Sequence, residues 1–253
     1  MTISGARRQI QRVVNSALRP LNVQVIRARS NDPAVKTFLQ ARATAKAARK
    51  AGLSVADYVD RTYSEPGTTQ ETVDAMISIG DLKPDDVKRV CEIGAGTGRY
   101  LEQVTAALRP EQYEVYETAD DWLPHLRQFP NVVIRDSDAR TLGGTATSSV
   151  DLVHAQKVFV YTEFWTTAGY LAEMARVVRP GGVVAFDIVT EGCLDDDVLA
   201  VWIREGSIYH PIPKGWAIDY MGRRLLEYLG SHFNSLPPPS RSELLVFRRP
   251  QDT

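Results

Sequence analysis

The sequence has few cysteines and no long apolar run, and both shortages restrict what the chain can be. Only two cysteines, Cys91 and Cys193, occur among 253 residues. Two are too few for a disulfide framework, so we expect free, partly buried thiols in a reducing compartment. No segment approaches the roughly 20 apolar residues that span a bilayer, and arginines interrupt the N-terminal segment where a secretory signal is apolar. The sequence therefore predicts a cytoplasmic protein without a transmembrane segment.

Metal-ligand patterns and a basic body are also missing. No pair of His, Cys or acidic residues has the spacing of a zinc site, so no metal is predicted. Scattered carboxylates remain compatible with magnesium, which we do not predict. Residues 1–60 carry eleven Lys and Arg against three Asp and Glu, so the acidic excess lies in the remainder. An acidic body argues against a nucleic acid substrate. The basic N-terminal part is either a solvated helical face docked on that body or a contact for an anionic surface.

Helical patterns fill the first 80 or so residues. One basic amphipathic helix is predicted over residues 3–18, and others run from Asn31-Asp32-Pro33 to Ala51, from Ser54 onward, and from a Thr68/Glu71 capping box to about Ile79. We assign residues 1–84 to an N-terminal helical extension or lid. Its helices are also the predicted surface of a homodimer.

From Val87 onward, short β-rich runs alternate with helical patterns. This alternation predicts right-handed crossovers and a mostly parallel sheet covered on both faces. We therefore expect a doubly wound α/β domain over residues 85–253, with an inserted substrate-binding segment around residues 190–220. The predicted strands are Val87–Ile93, Glu114–Glu117, Val132–Arg135, Val150–Ala155, Val183–Ile188, Tyr228–Asn234 and Glu243–Phe247.

A glycine loop, Gly94-Ala95-Gly96-Thr97-Gly98, joins the first of these strands to its helix. Arg99 stands where the dinucleotide fingerprint has its third glycine, and Glu92 lies two residues before the loop. A carboxylate there disfavours a pyrophosphate and favours a sulfonium or an ammonium. Glu117, nineteen residues past Gly98, suits the two hydroxyls of a ribose. A ribose and a positive charge without pyrophosphate indicate S-adenosylmethionine.

At this point the residues resemble class I S-adenosylmethionine-dependent methyltransferases. The resemblance covers roughly residues 85–248 and implies a seven-stranded Rossmann-like sheet whose last strand is antiparallel. The similar segments are Val90 to Gly98, Tyr116-Glu117, Asp138-Ala139, Ser149 to Val153 and Glu173 to Gly182. Looser similarity, including Arg19-Pro20-Leu21-Asn22-Val23, is to bacterial enzymes of glycan and polysaccharide biosynthesis, among them actinobacterial sugar methyltransferases.

The resemblance also implies a cofactor site. Glu117 would hold the ribose and Asp138 the adenine, and Tyr58 lies where helical lids of the family cross the cofactor or else simply packs. The predicted cofactor-binding residues are Tyr58, Glu92, Gly94, Ala95, Gly96, Thr97, Glu117, Thr118, Asp138, Ala139 and Ala155.

Three residues near the ends of the fourth and fifth strands are candidate catalytic groups. An imidazole ordinarily titrates near neutrality, so His154 is a candidate general base for an alcohol. The alternative is that it packs beside the cofactor without moving a proton. Asp187 is a second candidate base, or a loop acceptor. Glu163 is either catalytic or the N-terminal acid of the next helix.

The acceptor is inferred by exclusion as a small molecule or oligosaccharide. Aromatic residues and acids cluster in the inserted segment, namely Trp202, Tyr209, His210 and Trp216 with Glu205 and Asp219. They would hold a sugar through ring faces and carboxylates, or they pack an extra helix. The sequence thus predicts a saccharide O-methyltransferase. The alternatives are a methyltransferase of another small molecule (lipid, quinone or natural product), a nicotinamide-dependent oxidoreductase, or a non-catalytic scaffold.

Overall fold

The computed structural model describes residues 39–238 and 240–251. The predicted helix over residues 3–18 and the predicted helix start at Asn31 lie outside the described residues. Within the described residues, two short 3-10 turns occur at Asp120–Trp122 and Glu191–Cys193. The other elements, in chain order, are α1 (Ala41–Ala51), α2 (Val55–Tyr63), α3 (Thr68–Ile79), β1 (Arg89–Ile93), α4 (Arg99–Leu108), β2 (Gln112–Tyr116), α5 (Leu123–Leu126), β3 (Val132–Arg135), β4 (Val150–Ala155), α6 (Phe164–Val177), β5 (Val178–Ile188), α7 (Asp196–Glu205), α8 (Lys214–Gly222), β6 (Glu227–Phe233) and β7 (Glu243–Arg248).

The strands form one seven-stranded sheet in the order β3-β2-β1-β4-β5-β7-β6. Strands β1 to β5 pair in parallel, and β7 is antiparallel to both of its neighbours. The predicted fold class, a doubly wound sheet with an antiparallel last strand, is confirmed. The strand order reverses between β1 and β4, and α/β sheets bind ligands beyond the carboxyl ends of the strands at such a reversal.

Burial along the strands follows their place in the sheet. Every residue of β4 is buried because this strand is central and helices cover both faces. Edge strands β3 and β6 have no fully buried residue. The three predicted strand ends that differ most from the structure are all starts, namely Arg89 rather than Val87, Gln112 rather than Glu114, and Val178 rather than Val183.

The capping box predicted for Thr68 and Glu71 is wrong. Gly67 is the N-cap residue of α3, with φ 91°, and the Thr68 hydroxyl donates to the carbonyl oxygen of Glu65 at 2.8 Å. The Glu71 carboxylate instead pairs with His232 on β6 at 3.1 Å. Glycine adopts this positive φ readily but has no side chain, so the first turn of α3 has no side-chain cap.

Helices α1 to α3 precede the sheet, and α3 contacts β6 and β7, whereas α2 contacts α4 and α1 contacts the 3-10 turn Asp120–Trp122. Val73 and Met76 of α3 are fully buried, and the backbone N–H of Ala41 donates to Asp121 at 2.8 Å. From Gln40 onward the described chain is one compact unit. The predicted division between residues 84 and 85 stays a prediction. None of the helices within the described residues is both long enough and apolar enough to cross a membrane.

Candidate functional site

The glycine loop turns sharply between β1 and α4. Gly94, Gly96 and Gly98 all have positive φ angles, and Gly98 is the N-cap residue of α4. A Cβ atom on Gly94 would lie 2.4 Å from Cγ2 of Val158, so no side chain fits at this position. The loop is therefore held against the segment that follows β4, at the point where the strand order reverses.

Glu117 lies directly against this loop. Its Oε2 accepts the N–H of Gly96 at 2.6 Å, and its Oε1 accepts the N–H groups of Thr118 and Ala119, both at 2.7 Å. A cleft of about 650 Å³ opens beside it, within the range of small-molecule sites. Because Glu117 already accepts the N–H of Gly96, this donor is not free to bind a pyrophosphate.

Asp138 and Ala139 form a tight turn after β3. Asp138 accepts the backbone N–H of Thr141 at 2.7 Å, the Thr141 hydroxyl at 2.8 Å and the N–H of Arg140 at 2.8 Å. These bonds lower the pKa of Asp138. Asp138 also lines a second cleft of about 480 Å³, and Ala139 adopts φ 59°. The adenine contact predicted for this turn stays a prediction.

A buried polar cluster lies at the carboxyl ends of β1 and β4. The Tyr113 hydroxyl is 2.8 Å from Oε2 of Glu92 and 2.7 Å from Nε2 of His154. All three side chains are at most 1% exposed. Burial raises the pKa of Glu92 to about 8, although the Tyr113 hydroxyl donates to it. Glu92 and His154 are directly opposite each other in the sheet, which is why they meet.

This environment bears on the role predicted for His154. The residue is fully buried, and burial lowers its pKa to about 3. An imidazole with such a pKa is a weak base near neutrality. The geometry therefore favours the alternative reading, in which His154 packs and hydrogen-bonds without moving a proton, and its base role stays a prediction.

Asp187 is likewise engaged by neighbouring groups. Its Oδ1 accepts the backbone N–H of Lys157 at 2.6 Å, and its Oδ2 accepts the Ser242 hydroxyl at 2.6 Å. The Lys157 ammonium lies 3.5 Å from Oδ2. Asp187 is 2% exposed. These contacts favour the loop-acceptor alternative over a second catalytic base.

The other predicted residues are more dispersed. Glu163 is exposed at the N-cap position of α6 without a side-chain capping bond. Tyr58 is half-buried on α2 and packs edge-on against Tyr63. Ala155 is buried in the hydrophobic core. Of the two remaining loop residues, Ala95 is 5% and Thr97 9% exposed.

Two polar features near the loop escaped the sequence prediction. Arg99 donates from Nη1 to Asp60 of α2 at 2.9 Å, and the Thr69 hydroxyl donates to the same carboxylate at 2.6 Å. This ties the helices before the sheet to the residue that follows the glycine loop. Gln156, directly after β4, is 4% exposed and neither its Oε1 nor its Nε2 has a partner. The alternation of side chains along a strand predicts which residues are buried. It does not predict the partners of those residues.

The aromatic residues of the inserted segment stack on each other. Tyr209 stacks on Tyr161 and on Trp202, with ring centroids 5.4 and 5.6 Å away. Trp216 stacks on Tyr220. These two stacking contacts favour packing over sugar binding for Tyr209. Within the described ranges, no three His, Cys, Asp or Glu residues group as a metal site.

Comparison with known proteins shows what the chain is similar to. Residues 91–186 match the family model described as a methyltransferase domain. The matched segment covers less than half of the chain. It runs from the glycine loop's strand to β5 and so contains the loop, Glu117 and Asp138. S-adenosylmethionine is the cofactor that the methyltransferase domain implies.

One curated relative is the malonyl-[acyl-carrier protein] O-methyltransferase of Methylococcus capsulatus, 31% identical over 112 residues. The match covers 42% of this chain, and the chain spans 39% of the relative's length. The similarity therefore concerns part of each protein rather than their whole lengths.

Solved structures share the fold at low identity. A complex of the Haloferax volcanii Trm112 methyltransferase activator with its methyltransferase partner matches with a TM-score of 0.60 at 16% identity, covering 84% of this chain and 98% of that one. The N-methyltransferase NodS of Bradyrhizobium japonicum, solved with S-adenosyl-L-homocysteine, matches with a TM-score of 0.55 at 16% identity, covering 72% of this chain and 86% of that one. These likenesses concern the fold alone.

Proposed function

We propose that the chain is an S-adenosylmethionine-dependent O-methyltransferase acting on a small molecule. The observation that carries the proposal is the contact between Glu117 and the glycine loop. A carboxylate bonded to the N–H of Gly96 at 2.6 Å suits a ribose and opposes a pyrophosphate, which disfavours the nicotinamide-dependent alternative. The match of residues 91–186 to a methyltransferase domain supports the same conclusion.

The residues present fit this cofactor. The glycines of the loop carry no side chain, which allows close approach of a ligand to the backbone. Glu117 would hold the ribose, the turn at Asp138 the adenine, and Glu92 a cationic group of the methionine part. When bound, the cofactor supplies an electrophilic methyl group, so the task left to the chain is mainly alignment and exclusion of water.

Two acceptor classes are candidates. The saccharide hydroxyl predicted from the sequence requires a base, and His154 and Asp187 are both buried and engaged. A carboxylate acceptor is already ionised and needs no base. The relative from Methylococcus capsulatus is named for the O-methylation of a malonyl group, which favours this second class. Gln156, with its unpaired amide, is the candidate polar contact for either acceptor.

The cofactor assignment is tested by calorimetry with S-adenosylhomocysteine on Glu117→Ala. We expect affinity to fall by at least about tenfold, because hydrogen bonds to a charged group contribute about 1.5–3 kcal/mol each. Glu111→Ala, an exposed acid paired only with Lys88, is the matched control and should bind normally. Equal affinity of Glu117→Ala and the wild type would show that the ribose assignment is wrong.

The acceptor is tested by transfer of a labelled methyl group to two panels of compounds. One panel holds mono- and oligosaccharides, and the other holds dicarboxylic acids and their acyl-carrier thioesters. Methylation of the first alone supports the saccharide, and methylation of the second alone supports the carboxylate.

Thermal shifts with NAD in place of S-adenosylhomocysteine test the oxidoreductase alternative, since only the true ligand stabilises the fold.

A further inference from the structure

The Glu92, Tyr113 and His154 side chains form a hydrogen-bonded chain that ends beneath the glycine loop. Glu92 lies on β1, Tyr113 on β2 and His154 on β4, so three neighbouring strands contribute one residue each. The Tyr113 hydroxyl contacts both of the others, while Nε2 of His154 is 3.9 Å from Oε2 of Glu92. Tyr113 is therefore the link between them.

The tautomer of His154 follows from the hydrogens available to these three side chains. A phenol has one hydrogen, and burial raises the pKa of Tyr113 well above its usual value, so that hydrogen is retained. If Tyr113 donates to Glu92, Nε2 of His154 must carry the hydrogen and donate to the phenol oxygen. Nδ1 of His154 is then bare, and it is indeed buried without a partner. The opposite tautomer would bury an N–H with no acceptor, which costs more.

We propose that Tyr113 and His154 are positioning residues that direct a donor chain onto Glu92, orient it toward the cationic end of the cofactor and favour its ionisation when the cofactor binds. This inference rests on the proposed function. Neither residue touches the cofactor in this account, and His154 acts through Tyr113. In this account His154 is at the end of β4 because it donates to Tyr113, and it needs no access to a substrate.

The proposal makes cofactor binding depend on pH. In the free protein Glu92 faces Tyr113 on β2, His154 on β4, Glu117 beyond β2 and Arg99 on α4. Burial and Glu117 raise its pKa, while Tyr113 and Arg99 lower it, and the result is about 8. His154, with a pKa of about 3, stays neutral across the physiological range. Cys91 is a neighbour along β1, and burial raises its pKa above the usual range.

Whether affinity rises or falls with pH depends on which form of Glu92 binds the ligand. A cationic ligand favours the ionised form, so below pH 8 binding must expel a proton from Glu92. We expect affinity for S-adenosylhomocysteine, whose ammonium is cationic, to rise about tenfold per pH unit up to pH 8 and then level off. At pH 7, close to one proton should be released on binding, as measured by calorimetry in buffers with different ionisation enthalpies.

Tyr113→Phe removes the donor and keeps the ring. We expect the rise in affinity to shift to higher pH, with binding at pH 7 weakened by about tenfold or more. Tyr116→Phe is the matched control, because Tyr116 is a buried tyrosine on the same strand whose hydroxyl contacts Thr145 instead. Its pH profile should equal that of the wild type. Glu92→Gln cannot ionise, so its weaker binding should not vary with pH.

His154→Leu tests the far end of the chain. It should shift the profile in the same direction as Tyr113→Phe but less, because Tyr113 keeps its contact with Glu92. Wild-type binding without proton release, or a Tyr113→Phe profile identical to that of Tyr116→Phe, overturns the inference and leaves the proposed function intact. Failure of the wild type to bind S-adenosylhomocysteine between pH 6 and 9 overturns both.

Discussion

At the residue scale, the conformation of one glycine determines whether the loop can form. Gly94 and Gly52 have nearly the same φ, 71° and 68°, but a Cβ meets Val158 at Gly94 and nothing within 4 Å at Gly52. Comparing the two alanine variants therefore separates backbone strain from lack of space.

We expect Gly52→Ala to lower the free energy of unfolding by about 1–2 kcal/mol, the cost of a left-handed conformation for an L-residue. Gly94→Ala should cost about 1–3 kcal/mol more through overpacking, and it should also abolish S-adenosylhomocysteine binding. Denaturant unfolding and calorimetry measure the two effects. Equal losses of stability would contradict the close contact with Val158.

The raised pKa of Glu92 has a second residue-scale consequence, for the stability of the cofactor-free protein. The folded state keeps a proton on Glu92 up to about pH 8, whereas the unfolded chain loses it near 4.5. The folded state binds more protons between these values, so stability should fall as the pH rises through this window. Unfolding of the wild type and Glu92→Gln at several pH values checks this, since the variant should lack that part of the fall.

At the scale of elements, α7 lies on the surface with little of its area buried. None of its residues is buried, Ile203 is 78% exposed, and its Trp202 stacks on Tyr209. Helices with little buried surface open at low free energy. Trp202 also packs on the buried cluster of Val160, Val189 and Cys193. We therefore expect its contacts to be the main attachment of α7 to the rest of the protein.

We expect Trp202→Ala to accelerate limited proteolysis within residues 196–205 severalfold, while global stability falls by only about 1 kcal/mol, the scale of an aromatic pair. Leu199→Ala, on the same helix and 43% exposed, should leave proteolysis unchanged. Identical cleavage rates for the two variants would mean that other contacts hold α7.

Elements with local sequence signals were the most predictable. The glycine turn, β3 and β4 have the predicted bounds or context because alternation and turn residues are read within a few positions. The bounds of α3 match the prediction, but its N-cap was mispredicted because Gly67, which has no side chain, takes that position. The Glu92 cluster was not predictable, since Tyr113 and His154 lie 21 and 62 residues beyond Glu92 and meet it only through the register of three strands.

At the scale of the whole molecule, α3 packs against the sheet as part of the same body. Met76 is 1% exposed, and β6 and β7 contact α3 through His232 and through Arg248, which donates to the carbonyl oxygen of Gly80. These contacts predict one cooperative unit rather than two domains divided at residue 84.

We expect Met76→Ala to lower the stability of the whole chain by about 2–5 kcal/mol, the cost of a buried cavity, with one transition seen by both circular dichroism and tryptophan fluorescence. Ser78→Ala, an exposed position on the same helix, is the control. Two separate transitions, of which only one shifts in Met76→Ala, would support the division at residues 84 and 85.

The place of β7 between β5 and β6 also has a consequence during synthesis on the ribosome. Both neighbours emerge before β7 is made, and each then has an unpaired edge that a foreign strand can join. Completion of the sheet has to wait for residues 243–248 to arrive. The nascent protein therefore passes through an interval in which it is prone to aggregate, and chaperone binding would matter most at that stage.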